Sequence, residues 1–121
     1  MFYLKYDNDP RFHKAMVCLH NCEASEYNKT ILAQATCSIM ENNPDIDPDI
    51  LYTRLSQIST VNYGTFQDRR YGEYNPTDHS ITISASLHNI DDALKDGKEE
   101  RTLIHEGIHA LTDKGLSLIH I

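Results

Sequence analysis

At 121 residues, 40% of them hydrophobic and 24% charged, the chain has the material for one compact domain with limited capacity to bury a core. The formal net charge of −7, with no Lys/Arg cluster longer than Arg69-Arg70, argues against a nucleic-acid surface or an anionic membrane as partner. It suits a cationic metal or basic peptide segments instead. No apolar run approaches a membrane span, and Met1 to Tyr6 is not followed by the apolar core of a signal peptide, so the expected compartment is the cytoplasm.

In chain order, Arg11 to Cys22 has a helix-compatible pattern in Phe12, Ala15, Met16 and Leu19. Cys18, Cys22 and Cys37 form an odd set, which fits reduced thiols better than a disulfide framework. Cys18-Leu19-His20-Asn21-Cys22 has the outline of a metal knuckle, but no second Cys/His pair with zinc-finger spacing follows, and ordinary semi-buried thiols beside a surface histidine are the favoured reading. Asn28-Lys29-Thr30 matches a glycosylation acceptor by chance, since no secretory signal accompanies it.

Asn28 to Met40 carries Ile31, Leu32, Ala35 and Ile39 at helical spacing, and Asn42 to Pro48 breaks that helix. Asp47 is a good N-cap and Pro48 a good first helical residue. Ile50, Leu51, Leu55 and Ile58 then supply the apolar stripe of a second helix, expected to pack on the first. No internal repeat or low-complexity segment interrupts this order.

From Tyr71 to Leu87 the period changes. Tyr71-Gly72-Glu73-Tyr74 and Ser80-Ile81-Thr82-Ile83-Ser84 flank Asn75 to His79, which predicts a hairpin whose second strand is half-buried. His79 in the turn and His88 after the strand read as ordinary exposed histidines. Asp91 to Leu94 begins another helical patch, Gly97 interrupts it, and a helix follows from Lys98, with Ile104, Ile108 and Leu111 expected on one buried face.

That last helix carries His105-Glu106-Gly107-Ile108-His109, an H-E-x-x-H sequence flanked by uncharged residues from Thr102 to Thr112. Two histidines four apart project from one helix face about a turn apart, so both imidazoles can hold one Zn²⁺ while Glu106 reaches a metal-bound water. A catalytic zinc normally takes a third protein ligand and keeps an open position, and no third ligand is secure in the sequence. Asp113 lies on the right face, two turns from His105, where a hydrogen bond to a ligand or plain solvent exposure is the expected role.

The last six residues, Leu116 to Ile121, are similar to the in-frame translation of a transposase-end adapter used in sequencing libraries. Native sequence is therefore expected to end near Gly115. The alternative is a native apolar strand, which alone would make His120 a ligand candidate.

The chain resembles the zincin metallopeptidases, most specifically in Thr102 to Leu111 and suggestively in Tyr71 to Ser84, about a third of its length. Thr-Leu-Ile-His-Glu-Gly-Ile-His-Ala-Leu after a Tyr-Asn-Pro hairpin also looks like the metallopeptidase domains embedded in large polyvalent phage and plasmid proteins. The resemblance implies an α+β, zincin-like domain over residues 1–115, with N-terminal helices, a small sheet whose edge strand lies beside the H-E-x-x-H helix, and a non-native tail at 116–121. It implies a Zn²⁺ cofactor held by His105 and His109, with Glu106 as general base. It further implies a protein or peptide substrate strung along the hairpin strand, and a third ligand on a following helix or loop. The competing expectation is a non-catalytic metal-binding or interaction module of a phage or mobile-element protein that uses the fold as scaffold.

Overall fold

The computed structural model describes residues 6–68, 70–88 and 97–112, with the backbone alone at His88. The helical patch at 91–94, Asp113, and the 116–121 tail with His120 lie outside the described residues. The described chain is α+β, with five helices and one three-stranded mixed sheet.

Three helices come first, each opened by a side-chain cap. Helix α1 (Pro10–Cys18) starts where the Asp9 carboxylate accepts from the Arg11 amide at 2.8 Å, with Pro10 in the first helical position. Helix α2 (Glu26–Asn42) is capped by Ser25, whose hydroxyl accepts from the Asn28 amide at 3.1 Å. Helix α3 (Pro48–Gln57) follows Asp47, which accepts from the Asp49 amide at 3.0 Å, as the sequence predicts. The first of these is shorter than its apolar pattern, because Leu19 closes it and the chain turns through His20 and Asn21.

Helix α2 is buried on most of its circumference, with Ile31, Leu32, Ala33, Cys37 and Ile39 at 1% exposure or less. A helix surrounded by protein has no single apolar stripe, which is why its pattern identified a helix but not its neighbours. It packs chiefly on α1 and on the last helix, α5 (Lys98–Thr112). The expected packing of α3 on α2 is corrected accordingly: α3 rests on α1 and α5. Leu51 and Leu55 are fully buried there, whereas Ile50, counted in the sequence stripe, is exposed.

The sheet has the order β1-β3-β2, from β1 (Thr60–Gly64), β2 (Gly72–Asn75) and β3 (Ser80–Ser84). Strands β2 and β3 form the antiparallel hairpin that the sequence predicts, pairing Gly72 with Ile83 and Tyr74 with Ile81. Its turn holds His79 at φ 59°, the left-handed region, with Nδ1 at 2.8 Å from the Tyr74 hydroxyl. Strand β1, which the sequence analysis did not anticipate, pairs parallel to β3, placing Val61 and Tyr63 on the same face as Ile81 and Ile83. Parallel pairing leaves no turn signature between partners, so this strand is harder to read from local sequence than the hairpin. A short helix, α4 (Ala85–His88), leaves β3 and was likewise not anticipated.

Helix α5 lies against β2, β3, α2 and α3, so the inner face of the sheet and the helical layer share one core. Its buried side consists of Leu103, Gly107, Ala110 and Leu111, with Ile104 and Ile108 only partly buried. The expected burial of Ile104 and Ile108 is thus displaced by one position, to the residues that meet α2. Gly107 explains the close packing: a Cβ there would come within 2.8 Å of Leu32 Cδ2, so the absence of a side chain lets the two helices approach. The first turn of α5 is tied down by a polar chain. Asn28 Nδ2 donates to the Tyr63 hydroxyl at 3.1 Å, and that hydroxyl donates to Glu99 Oε1 at 2.6 Å. Asn28 is 2% exposed and bonded within the fold, so it serves packing and cannot carry a glycan.

Candidate active site

Gly97, whose φ of 72° suits a residue without a Cβ, immediately precedes α5. Eight to twelve residues on, the helix brings His105 and His109 to its solvent side and turns Glu106 inward. The His105 side chain is 67% exposed and that of Glu106 10%. The three polar groups converge: His105 Nε2 lies 3.2 Å from His109 Nε2 and 3.9 Å from Glu106 Oε2. The rings meet edge to face with centroids 4.8 Å apart.

Two imidazole nitrogens bound to one tetrahedral Zn²⁺ at about 2.0–2.1 Å would stand about 3.3–3.4 Å apart. The observed separation falls a little short of that, so both lone pairs could meet one ion with a slight parting of the rings. Both Nε2 atoms are accessible, and neutral imidazole is the form that ligates. The donor set therefore fits zinc. Among the described residues no third His, Cys, Asp or Glu completes a ligand group.

Glu106 is held between two close neighbours. A Cβ at Gly72 would lie 2.6 Å from Thr102 Cγ2 and 3.0 Å from Glu106 Cγ, so glycine at this strand position lets β2 lie directly on the helix beside the carboxylate. The groove between strand and helix, about 400 Å³, is lined by Tyr71, Gly72, Lys98, Arg101, Thr102, His105 and Glu106.

Among the described residues strand β2 is one edge of the sheet, and its hydrogen bonding fixes which main-chain groups turn toward β3. The Ser84 amide donates to the Tyr71 carbonyl at 2.7 Å, which makes Tyr71 and Ser84 a hydrogen-bonded pair of the antiparallel ladder. Such pairs alternate, so Glu73 and Asn75 also face β3, while the amides and carbonyls of Gly72 and Tyr74 point away from it. On the outer side of β2 the amide and carbonyl of Gly72 thus lie next to Glu106.

Of the residues singled out from sequence, His105, Glu106 and His109 come together. His79 is bonded to Tyr74 at the hairpin turn, and Asp113 lies outside the described residues. Cys18, Cys22 and Cys37 are free; burial raises all three thiols, Cys37 to about 11, which leaves them protonated and unreactive near neutral pH. The groove residues Tyr71, Gly72, Lys98, Arg101 and Thr102 were not identified from sequence. Two signals for them existed: glycine inside a predicted strand marks close approach of another element, and Lys98, Arg101 or Thr102, and His105 recur at helical spacing on the motif face. The chain matches no protein-family model, no curated protein and no solved structure.

Proposed function

We propose that this chain is a zinc-dependent metallopeptidase of zincin type, or a portion of one, hydrolysing peptide bonds with Glu106 as general base. The observation that carries the reading is the convergence of His105 Nε2 and His109 Nε2 at 3.2 Å beside a buried Glu106 carboxylate, at a groove walled by an edge strand. His105 and His109 would hold the metal, and the reading requires a third ligand from outside the described residues. Zinc, when bound, supplies a Lewis acid that polarises the scissile carbonyl and lowers the pKa of water toward about 7.

The remaining work belongs to the chain. The outward amide and carbonyl of Gly72 bind an extended peptide alongside β2, holding its scissile bond over the histidines. Glu106 Oε2 takes the proton of the attacking water and returns it to the nitrogen of the leaving amine. Its burial against Gly72 and Thr102 fixes the carboxylate, and fixed geometry is what makes proton transfer efficient.

The test is Glu106→Gln in the full-length protein loaded with zinc, assayed on casein and on a mixed fluorogenic peptide library. Because Glu106 moves protons and does not ligate, the variant should keep its zinc and lose turnover by about 10²- to 10⁴-fold. Equal cleavage by both proteins would remove Glu106 from the chemistry. Zinc binding with no cleavage by wild type would favour the interaction module.

A further inference from the structure

Glu99, about two turns before Glu106 on α5, is buried and takes no part in the chemistry. At 7% exposure a carboxylate is costly unless it is hydrogen-bonded. Tyr63 supplies one such bond. Its hydroxyl donates to Glu99 Oε1 at 2.6 Å, in the range of a hydroxyl on a charged acceptor, and accepts from the buried Asn28 amide at 3.1 Å.

The register of the sheet connects this bond to the site. Ile83 of β3 pairs with Tyr63 of β1 on one side and with Gly72 of β2 on the other, so Tyr63, Ile83 and Gly72 form one row across the sheet. Both ends of that row hold α5. Tyr63 bonds to Glu99, and Gly72 lies against Thr102 and Glu106, where a Cβ would come within 2.6 and 3.0 Å of their side chains. Glu99 and Glu106 are seven residues apart, about 10.5 Å along the helix and nearly in line on its surface. The two attachments differ in kind. Gly72 offers no side chain to resist a slide or rotation of the helix over it, whereas a hydrogen bond weakens steeply once its geometry is lost.

We propose that Tyr63 is a positioning residue for Glu106: through Glu99 its hydroxyl fixes the register of α5 on the sheet, and so the place of the Glu106 carboxylate beside Gly72. The consequence for turnover rests on the peptidase reading, but the register can be measured without cleavage. The reporter is the nuclear Overhauser peak between the Gly72 Hα and the Thr102 methyl, read on the 121-residue chain with no metal added.

Tyr63→Phe removes the hydroxyl and keeps the ring, so the peak should weaken or vanish. Glu99→Ala, which removes the acceptor, should weaken it as well. Asp9→Ala, which removes the α1 cap and costs stability away from the site, should leave it unchanged. A peak as strong in Tyr63→Phe and Glu99→Ala as in wild type would overturn the proposal. In the full-length, zinc-loaded protein Tyr63→Phe should keep its zinc and its KM while kcat falls about tenfold, a fraction of the roughly 10²-fold cost of a 1 Å displacement. In a Glu99→Ala background the same substitution should have no further effect on kcat. A further loss there would mean that Tyr63 acts by another route, and an equal loss of kcat in Asp9→Ala would reduce its effect to general stability; either overturns the positioning role. Wild type that cleaves nothing would sink the peptidase reading and leave the Overhauser peak to decide the register, so the two failures are distinguishable.

Discussion

The two faces of helix α5 are built to opposite requirements. On one, Leu103, Ala110 and Leu111 are 4% exposed or less and Gly107 is pressed against Leu32; on the other, the His105 side chain is 67% exposed. Glu106 lies between them, and two glycines bracket it. Gly107 admits α2 on the packed side, and Gly72 admits β2 on the open side. Close approach thus serves stability at one glycine and site geometry at the other. The face-specific expectation is that changes on the packed side cost folding, while changes on the open side cost metal and turnover.

Of the two glycines, Gly72→Ala should have the larger effect on turnover. The new methyl would meet Thr102 and Glu106 side chains and lie 3.3 Å from the Thr82 carbonyl oxygen, so either β2 or the side chains of Thr102 and Glu106 must shift. Displacements of about 1 Å at a catalytic group cost on the order of 10²-fold in rate. Peptidase assays should show that loss with zinc content retained; unaltered turnover would mean that β2 does not set the position of Glu106.

Gly107→Val tests the other side. Forcing carbon atoms into the 2.8 Å approach to Leu32 should destabilise the protein by about 1–3 kcal/mol in urea denaturation. Both histidines should still bind metal in the folded fraction. A stability equal to wild type would show that the α2–α5 contact yields easily.

These glycines also mark what sequence could and could not convey. The hairpin, the Asp47 cap and the H-E-x-x-H helix were legible because each depends on local chemistry: period-two alternation, a side chain capping its own helix, and a four-residue spacing. The parallel strand β1, the neighbours of α2 and the groove formed by Gly72 with Glu106 depend on residues far apart in the chain. Gly72 and Glu106 are separated by a turn, a strand and a helix, and neither residue carries a sign of the other. Ile104 and Ile108 were assigned to the buried face because their hydrophobicity was visible, whereas the closest packing falls at Gly107, where no side chain advertises it.

A smaller effect is expected far from the site. Asp9 caps α1, and its hydrogen-bonded Arg11 side chain holds the carboxyl below its ordinary value of 3.8. A lowered folded-state pKa contributes stability that is present above 3.8 and is lost as pH falls through the lower folded value. Asp9→Ala should therefore cost about 1 kcal/mol at neutral pH, with wild type and variant converging in acid. A pH-independent difference would assign the loss to something other than the ionised cap.

The smallest stability effect should be His105→Ala. An exposed side chain on the open face should change metal-free stability by no more than about 0.5 kcal/mol, although its loss removes a ligand. Substantial unfolding of the metal-free variant would mean that His105 is a structural residue.

The most direct measurement is the zinc content of the full-length protein, by mass spectrometry of the metal after dialysis, for wild type and for the double variant His105→Ala/His109→Ala. Wild type should hold one zinc per chain and the folded double variant none. Zinc retained unchanged in the double variant would contradict the assignment of His105 and His109 as the metal site.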